Sequence, residues 1–143
     1  NVALGTDGMS SHNSADLFAD IKLAACLHKG VRRDPLAVTA RQALYMATAG
    51  GALALGRTDT GRIVPGYRAD LILVDFEAAN LVPCHDVAEN LVFAAHSSNV
   101  VMNMARGTVI YRDGAFLTLD LDALKEEVRR YALPLIFGES SIT

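Results

Sequence analysis

The chain begins with an apolar run that ends at a glycine and an acidic residue. Residues 2–4 (Val-Ala-Leu) precede the motif Gly5-Thr6-Asp7-Gly8. A short apolar run bounded by turn-forming residues is typical of a core β-strand. In α/β barrels and doubly wound sheets, the loops beyond the carboxyl ends of the strands carry the chemistry. The pattern therefore predicts a strand that delivers the Asp7 carboxylate to such a loop.

Helical periodicity follows this loop. Leu17, Ile21, Ala24 and His28 lie on one face at helical spacing, which predicts a first helix. A Thr-x-x-Gln capping box predicts a second helix, followed by one more helical turn before Gly56. The start and stop signals are Asn13 or Ser14 and Gly30 for the first helix, and Thr39, Gln42 and Gly50 for the second. A strand and two helices predict an α/β segment over residues 1–60.

The pattern changes to short strands after Gly61. Alternating polarity predicts strands over residues 69–75, 100–105 and 108–111, with a further strand starting at residue 116. The dipeptide Asp113-Gly114 marks a tight hairpin. A short helix capped by Asp86 and Glu89 is inserted between the first two strands. Residues 61–119 are therefore predicted to form a small antiparallel β module of three or four strands.

A last helix is predicted within the C-terminal segment, residues 120–143. It begins near Asp120 or Asp122, and it stops around Pro134 because proline cannot continue a helix. The apolar side chains that this helix is expected to bury are Leu124, Val128 and Tyr131. The C-terminal segment is thus predicted to be a helix and a tail.

Composition excludes several classes of function. The chain has 143 residues, is 51% hydrophobic and carries a formal net charge of -3, which argues against a nucleic-acid surface. No apolar run has membrane-spanning length. Cys26 and Cys84 are far apart and lack C-x-x-C spacing, which suits a reducing compartment. We therefore expect a cytoplasmic protein with no nucleic-acid or membrane partner.

The first residues also predict that this chain is the C-terminal piece of a longer protein. A buried parallel strand needs neighbours on both sides, and no βα unit precedes residues 2–4. We expect the N-terminal part of the same protein to complete the fold.

Several motifs, in order, resemble the C-terminal portion of the amidohydrolase superfamily. The similarity is strongest to the branch of methylthioadenosine/adenosylhomocysteine deaminases and atrazine-type chlorohydrolases. The motifs that carry it are Leu4-Gly5-Thr6-Asp7-Gly8, Ala43-Leu44-Tyr45-Met46-Ala47-Thr48, Gly50-Gly51-Ala52, Leu55-Gly56, Gly61-Arg62-Ile63, Gly66, Ala69-Asp70-Leu71-Ile72-Leu73-Val74-Asp75, Pro83, His85, Asp86, Gly107 and Asp113-Gly114. Each motif alone is weak, whereas the ordered set spans the chain to about residue 119.

The resemblance implies an α/β fold of a particular kind. Residues 1–60 would be the last strand and helices of a (β/α)8 TIM-type barrel, and residues 61–119 the C-terminal part of a composite β-sandwich. The family's H-x-H pair, two further histidine ligands and general-acid glutamate would lie upstream. His12, His28, His85 and His96 all follow the strand and do not match those positions. The isolated chain is therefore expected to be inactive.

By the same resemblance, Asp7 is both a metal ligand and the catalytic base. The cofactor would be a divalent metal, with zinc preferred. Iron is the alternative, because both metals accept histidine and carboxylate ligands. Water activated by the metal would replace an amine or a chloride on a heteroaromatic ring such as a purine or triazine, with a carboxylate accepting the proton. Read from its local sequence alone, Asp7 could instead cap a turn or the next helix.

The loop after Asp7 supplies candidate substrate contacts, because loops at that end of a barrel set specificity. The candidates are Ser10, Ser11, His12 and Asn13. The same residues also suit a hydrophilic loop ending in a helix cap. For His12, a role beside the metal pocket or in solvent is favoured over metal ligation.

Two hypotheses of different classes compete with the enzyme. One is a non-catalytic module for packing or oligomerisation, which upstream histidine motifs would exclude. The other is an autonomous α+β binding domain, which an unpaired apolar strand at the N-terminus disfavours. The preferred hypothesis is the C-terminal part of a metal-dependent aminohydrolase that binds a small heteroaromatic substrate. We expect the intact protein to be a homo-oligomer.

Overall fold

The computed structural model describes residues 1–138. Within them, the helices are α1 (Met9–His12), α2 (Leu17–Arg32), α3 (Ala40–Ala47), α4 (Ala49–Ala54), α5 (Val87–Phe93), α6 (Leu121–Glu127) and α7 (Leu133–Phe137). The strands are β1 (Leu71–Val74), β2 (Val100–Ala105), β3 (Thr108–Arg112) and β4 (Ala115–Phe116). Single 3₁₀ turns lie at Ala79–Leu81 and Ser97–Asn99, and a π-helical stretch, Val128–Ala132, joins α6 to α7. None of the described helices combines the length and apolar character that a bilayer crossing requires.

The four strands form one antiparallel sheet in the order β1-β2-β3-β4, which confirms the predicted β module. The β2–β3 turn places Arg106 and Gly107 at positive φ, and the β3–β4 turn does the same for Asp113 and Gly114. Two central residues at positive φ give a turn whose twist matches that of the strands. The Asp-Gly signal therefore located this hairpin correctly.

Small side chains build a helical core where α2, α3 and α5 meet. Alanine dominates this core, which lets the helix backbones approach closely. Its buried members are Ile21, Ala25, Ala40, Ala43, Ala88 and Val92. Because α5 lies between β1 and β2 in the sequence, this core joins the β module to the N-terminal helices.

Helix α2 starts later than its sequence predicts. Asp16 is the N-cap, and its side chain accepts a hydrogen bond from the Phe18 N–H group. Asn13 instead ends α1, with φ at 61°. Ser14 supports the true cap, because its hydroxyl accepts a hydrogen bond from the Asp16 N–H group at 3.1 Å. The helix also continues past Gly30 to Arg32.

The predicted strand at residues 2–4 is absent from the described structure. This segment lies beside α3 and α4 without strand geometry. The Leu4 N–H group donates to the Met46 carbonyl at 3.1 Å, and the Asn1 side chain donates to the Gly50 carbonyl at 2.8 Å. A strand requires a neighbouring strand to complete its ladder, and residues 1–138 place none here. The local pattern is strand-like, but the described residues supply no strand that pairs with it.

The C-terminal helix differs from expectation in burial and in length. Leu124, Val128 and Tyr131 are 46%, 42% and 56% exposed, because the described residues place no layer over this face. The helix also passes Pro134 and ends at Phe137. Since the π-helical stretch ends at Ala132, Pro134 falls in the first turn of α7, where a missing N–H group is tolerated.

Candidate functional site

Asp7 lies in an exposed turn between residues 2–4 and α1. Its backbone is left-handed, with φ at 57°, a conformation that aspartate tolerates better than most residues. One carboxylate oxygen, Oδ1, accepts a hydrogen bond from the Gly8 N–H group at 2.7 Å. The turn therefore holds the carboxylate in a defined orientation on the surface of the described chain.

The loop after Asp7 is a single helical turn. The N–H groups of Ser11 and His12 donate to the Gly8 carbonyl at 2.9 and 3.0 Å, and the Asn13 N–H group donates to the Met9 carbonyl at 3.0 Å. Ser10 and Ser11 are exposed on this turn. Asn13 has a structural role as the residue that ends α1. This turn defines the immediate surroundings of Asp7.

His12 is engaged at both ring nitrogens. Nδ1 lies 2.9 Å from the Ser14 carbonyl oxygen, and Nε2 lies 3.1 Å from Oδ1 of Asp20. Both ring nitrogens therefore lie against oxygen atoms of the same chain in this conformation. The sequence did not indicate the pairing with Asp20, since the two residues lie on different helices with no regular spacing.

A second contact ties this region to the β module. Asp16 Oδ2 accepts a hydrogen bond from the Ser97 hydroxyl at 3.0 Å, while Oδ1 caps α2. Ser97 begins the 3₁₀ turn that precedes β2. Asp16 therefore links elements 81 residues apart in the chain.

The described residues offer one candidate ligand rather than a complete metal site. No three histidine, cysteine, aspartate or glutamate side chains within residues 1–138 are grouped so that they could hold a metal ion. The exposed Asp7 carboxylate is an oxygen donor of the kind that zinc accepts. Asp7 therefore fits the role of one ligand, and further ligands would have to come from outside this set.

The remaining histidines lie in other settings. His28 is exposed on α2, and His85 lies just before the α5 N-cap Asp86. His96 precedes the 3₁₀ turn at Ser97–Asn99, and its backbone N–H group donates to the Asn99 side chain at 3.0 Å.

Carboxylates with shifted pKa values belong to the scaffold. The pKa of Asp70 is lowered because the Arg106 N–H group and the Thr60 hydroxyl donate to it. The pKa of Asp86 is lowered chiefly by the Glu89 N–H group, with help from Ala88 and Arg41. Asp70 thereby anchors the β2–β3 turn, and Asp86 anchors the start of α5.

The family follows from comparison with known proteins. The model of the Amidohydrolase family matches residues 1–110, and the chain belongs to this family. It is 45% identical over 138 residues to a 5-methylthioadenosine/S-adenosylhomocysteine deaminase of Pelotomaculum thermopropionicum, covering 96% of this chain and 32% of that protein. It is 45% identical over 136 residues to a 5'-deoxyadenosine deaminase of Methanosarcina barkeri, covering 95% and 31%. The chain thus spans about a third of the length of these relatives.

Solved structures agree with this assignment. An adenosine deaminase from Xanthomonas campestris with bound zinc superposes with a TM-score of 0.86 at 37% identity, covering 91% of this chain and 30% of that one. Atrazine chlorohydrolase TrzN from Arthrobacter aurescens, complexed with zinc, gives a TM-score of 0.83 at 29% identity, covering 90% and 29%. Both similar structures therefore contain zinc.

Proposed function

We propose that this chain forms part of a zinc-dependent aminohydrolase that removes the exocyclic amine of a purine nucleoside. The observation that carries the proposal is the Asp7 carboxylate, held exposed by its own turn within the region that matches the family. The two zinc-containing structures support the choice of metal. Iron would satisfy the same ligand types.

Asp7 has two tasks in this proposal. When bound, the metal supplies Lewis acidity and favours the ionisation of a water molecule beside it. Asp7 provides one ligand oxygen, accepts the proton that the water releases, and passes it toward the departing amine. The hydrogen bond from Gly8 fixes Oδ1, so the carboxylate approaches the reacting groups in one orientation.

The relatives favour a purine nucleoside over a triazine. Relatives named for 5-methylthioadenosine, S-adenosylhomocysteine and 5'-deoxyadenosine are 45% identical to this chain, whereas the triazine-directed chlorohydrolase is 29% identical. The substrates in those names share a 6-aminopurine ring on a ribose. We therefore propose amine removal as the principal reaction and chloride removal from a triazine as the lesser candidate.

Within the loop after Asp7, Ser10 and Ser11 are the proposed substrate contacts. Both are exposed beside the carboxylate. His12 and Asn13 were candidates on sequence grounds, but the ring nitrogens of His12 are engaged and Asn13 ends α1. The substrate-facing role is accordingly assigned to the two serines.

The proposed architecture places residues 1–60 in a (β/α)8 barrel and residues 61–119 in a β-sandwich. The contribution of small residues to the α2–α3–α5 core supports close packing between the two parts. Residues 1–138 contain no complete metal site, so the barrel ligands would come from elsewhere in the protein. We accordingly propose that residues 1–143 alone are inactive.

Cellular setting and assembly are further proposals. Cys26 and Cys84 are both free thiols, as suits a reducing cytoplasm.

Homo-oligomeric assembly is the expected state of the intact enzyme, and light scattering of that protein measures it. The competing hypothesis of a non-catalytic module predicts assembly without turnover.

A substrate panel tests the proposed activity. The full-length protein that contains this chain is loaded with zinc and assayed with adenosine, 5'-deoxyadenosine, 5-methylthioadenosine, S-adenosylhomocysteine and atrazine. We expect ammonia release from the nucleosides, little chloride release from atrazine, and no turnover by residues 1–143 alone. A zinc-loaded protein that releases neither product would favour the non-catalytic module, and full activity of residues 1–143 would contradict the need for outside ligands.

A further inference from the structure

We propose that His12 and Asp20 form a positioning pair that fixes the loop carrying Asp7, an inference that rests on the proposed function of Asp7. His12 is the last residue of α1, which has only four residues. A helix this short is not stable by itself in water, so contacts with the rest of the protein must hold it. The contact between Nε2 of His12 and Oδ1 of Asp20 supplies such a link.

Asp20 belongs to a rigid part of the fold. It lies in the first turn of α2, where the helix dipole favours a carboxylate. The next residue, Ile21, and Ala25 one turn later are 5% and 0% exposed in the helical core. The contact between His12 and Asp20 therefore connects an isolated helical turn to a helix that the core holds in place.

Burial makes this pair more consequential than an ordinary surface ion pair. The Asp20 side chain is 13% exposed and that of His12 is 35% exposed. Oδ2 of Asp20 is buried and accepts no hydrogen bond from the described residues. Oδ1, the other oxygen of the same carboxyl group, lies against Nε2 of His12. Removing His12 would leave a largely buried carboxylate uncompensated, whereas removing both groups would not.

The pair reaches Asp7 through Gly8. The His12 N–H group donates to the Gly8 carbonyl at 3.0 Å, and the Gly8 N–H group donates to the Asp7 carboxylate at 2.7 Å. Asp7 holds a left-handed backbone, with φ at 57°, which persists only where neighbouring contacts enforce it. Asp7 is the catalytic residue of the proposed reaction, and His12 and Asp20 orient it without touching the reacting atoms.

Four variants of the zinc-loaded full-length protein test this role: His12→Ala, Asp20→Ala, the double variant and His12→Gln. We expect each alanine variant to lower kcat by about ten- to a hundredfold with KM within about threefold, because misplaced catalytic groups slow the chemical step. The double variant should be no slower than His12→Ala. His12→Gln should recover most of the rate, since its amide still donates toward Asp20.

Cobalt absorption provides a readout that does not depend on turnover. In the Co²⁺-substituted protein, His12→Ala should change the visible bands and His12→Gln should restore them. Asp122→Ala, which removes an exposed carboxylate paired with Lys125 on α6, serves as the control and should change neither rate nor spectrum. The melting temperature of each variant separates loss of folding from loss of positioning.

The outcomes separate the two proposals. Unchanged kcat and unchanged cobalt bands in folded His12→Ala and Asp20→Ala would overturn the positioning role. Additive losses in the double variant, or a lower melting temperature with normal kcat, would do the same. If the wild-type protein shows no turnover, the proposed function fails, and the cobalt bands alone decide whether His12 orients Asp7. If His12→Ala does not fold, the kcat and cobalt bands of His12→Gln and of the double variant are compared with those of the wild type instead.

Discussion

At the scale of single residues, the position of a side chain in a loop was easier to predict than its tertiary contacts. The Gly5-Thr6-Asp7-Gly8 motif predicted a carboxylate in a loop, and the structure shows Asp7 exposed in such a loop. The pairing of His12 with Asp20 could not be predicted, because it depends on how α1 folds back against α2. Local patterns indicate residue type and turn tendency, whereas the contact between His12 and Asp20 depends on tertiary geometry.

Gly50 is a residue at which backbones meet closely. A Cβ atom built there would lie 2.9 Å from the carbonyl oxygens of both Val2 and Tyr45. Backbone atoms yield less readily than flexible side chains, so Gly50→Ala should lower the free energy of unfolding by about 1–3 kcal/mol. Urea denaturation measures this loss.

Gly51→Ala is the matched control in the same helix. Its nearest neighbour would be the Met46 carbonyl oxygen at 3.6 Å, an ordinary contact. Alanine is a better helix former than glycine, so this variant should gain about 0.5–1 kcal/mol. Equal stabilities of the two variants would contradict the close approach of residues 1–2 to α4.

At the scale of secondary-structure elements, capping signals predicted the starts of α3 and α5 but not that of α2, and the burial pattern along α6 failed. The box of Thr39 and Gln42 and the N-cap at Asp86 are present as predicted. These signals are local, because donor and acceptor lie within three residues of each other. The expected burial along α6 failed because periodicity shows which face is apolar, and only a packed neighbour can cover it.

The N-cap of α5 should make stability depend on acid pH. The Glu89 N–H group, followed by Ala88 and Arg41, lowers the pKa of Asp86 below its ordinary value of 3.8, although partial desolvation opposes this. A lowered pKa in the folded state means that the stabilisation is present above 3.8 and is lost as pH falls through the folded-state pKa. The urea midpoint should therefore fall as the pH decreases from about 6 to about 3.

Asp86→Asn isolates this contribution, because asparagine still caps a helix but does not titrate. The difference in urea midpoint between wild type and variant should be largest near neutral pH and should shrink in acid. A difference that stays constant across the acid range would show that ionisation of Asp86 does not support the cap.

At the scale of the whole molecule, the sequence predicted the antiparallel β module, whereas the strand expected at residues 2–4 is absent from the described residues. The proposed barrel could not be tested from this chain, because a barrel strand exists only beside its neighbours. The division at residues 60 and 119 remains a prediction. The packing of α5 against α2 and α3 shows, however, that the first two segments share one core.

The surface of the chain predicts its behaviour in isolation. Its accessible area is 10068 Å². A compact monomer of 15.3 kDa would expose roughly 7,100 Å². Many large apolar side chains contribute to the excess, including Leu23, Leu27 and Val31 on α2 at 57%, 54% and 75% exposure. Residues 1–143 alone should therefore bind a hydrophobic dye and self-associate, as exposed apolar patches do.

Dye fluorescence and sedimentation check this expectation, with the full-length protein as the control. The control should bind much less dye per mole if the proposed barrel and sandwich cover these surfaces. If residues 1–143 alone are monomeric, unfold cooperatively and bind no dye, the result would support the autonomous domain instead.

The kcat of Asp7→Asn in the zinc-loaded full-length protein tests the proposed role of the Asp7 carboxylate most directly. Asparagine tolerates the left-handed backbone at this position, so the turn should keep its shape and the melting temperature should stay within a few degrees of wild type. Its amide cannot accept the proton, and kcat should fall by about a thousandfold or more. A folded, zinc-loaded Asp7→Asn protein that retains kcat within tenfold of wild type would contradict the account.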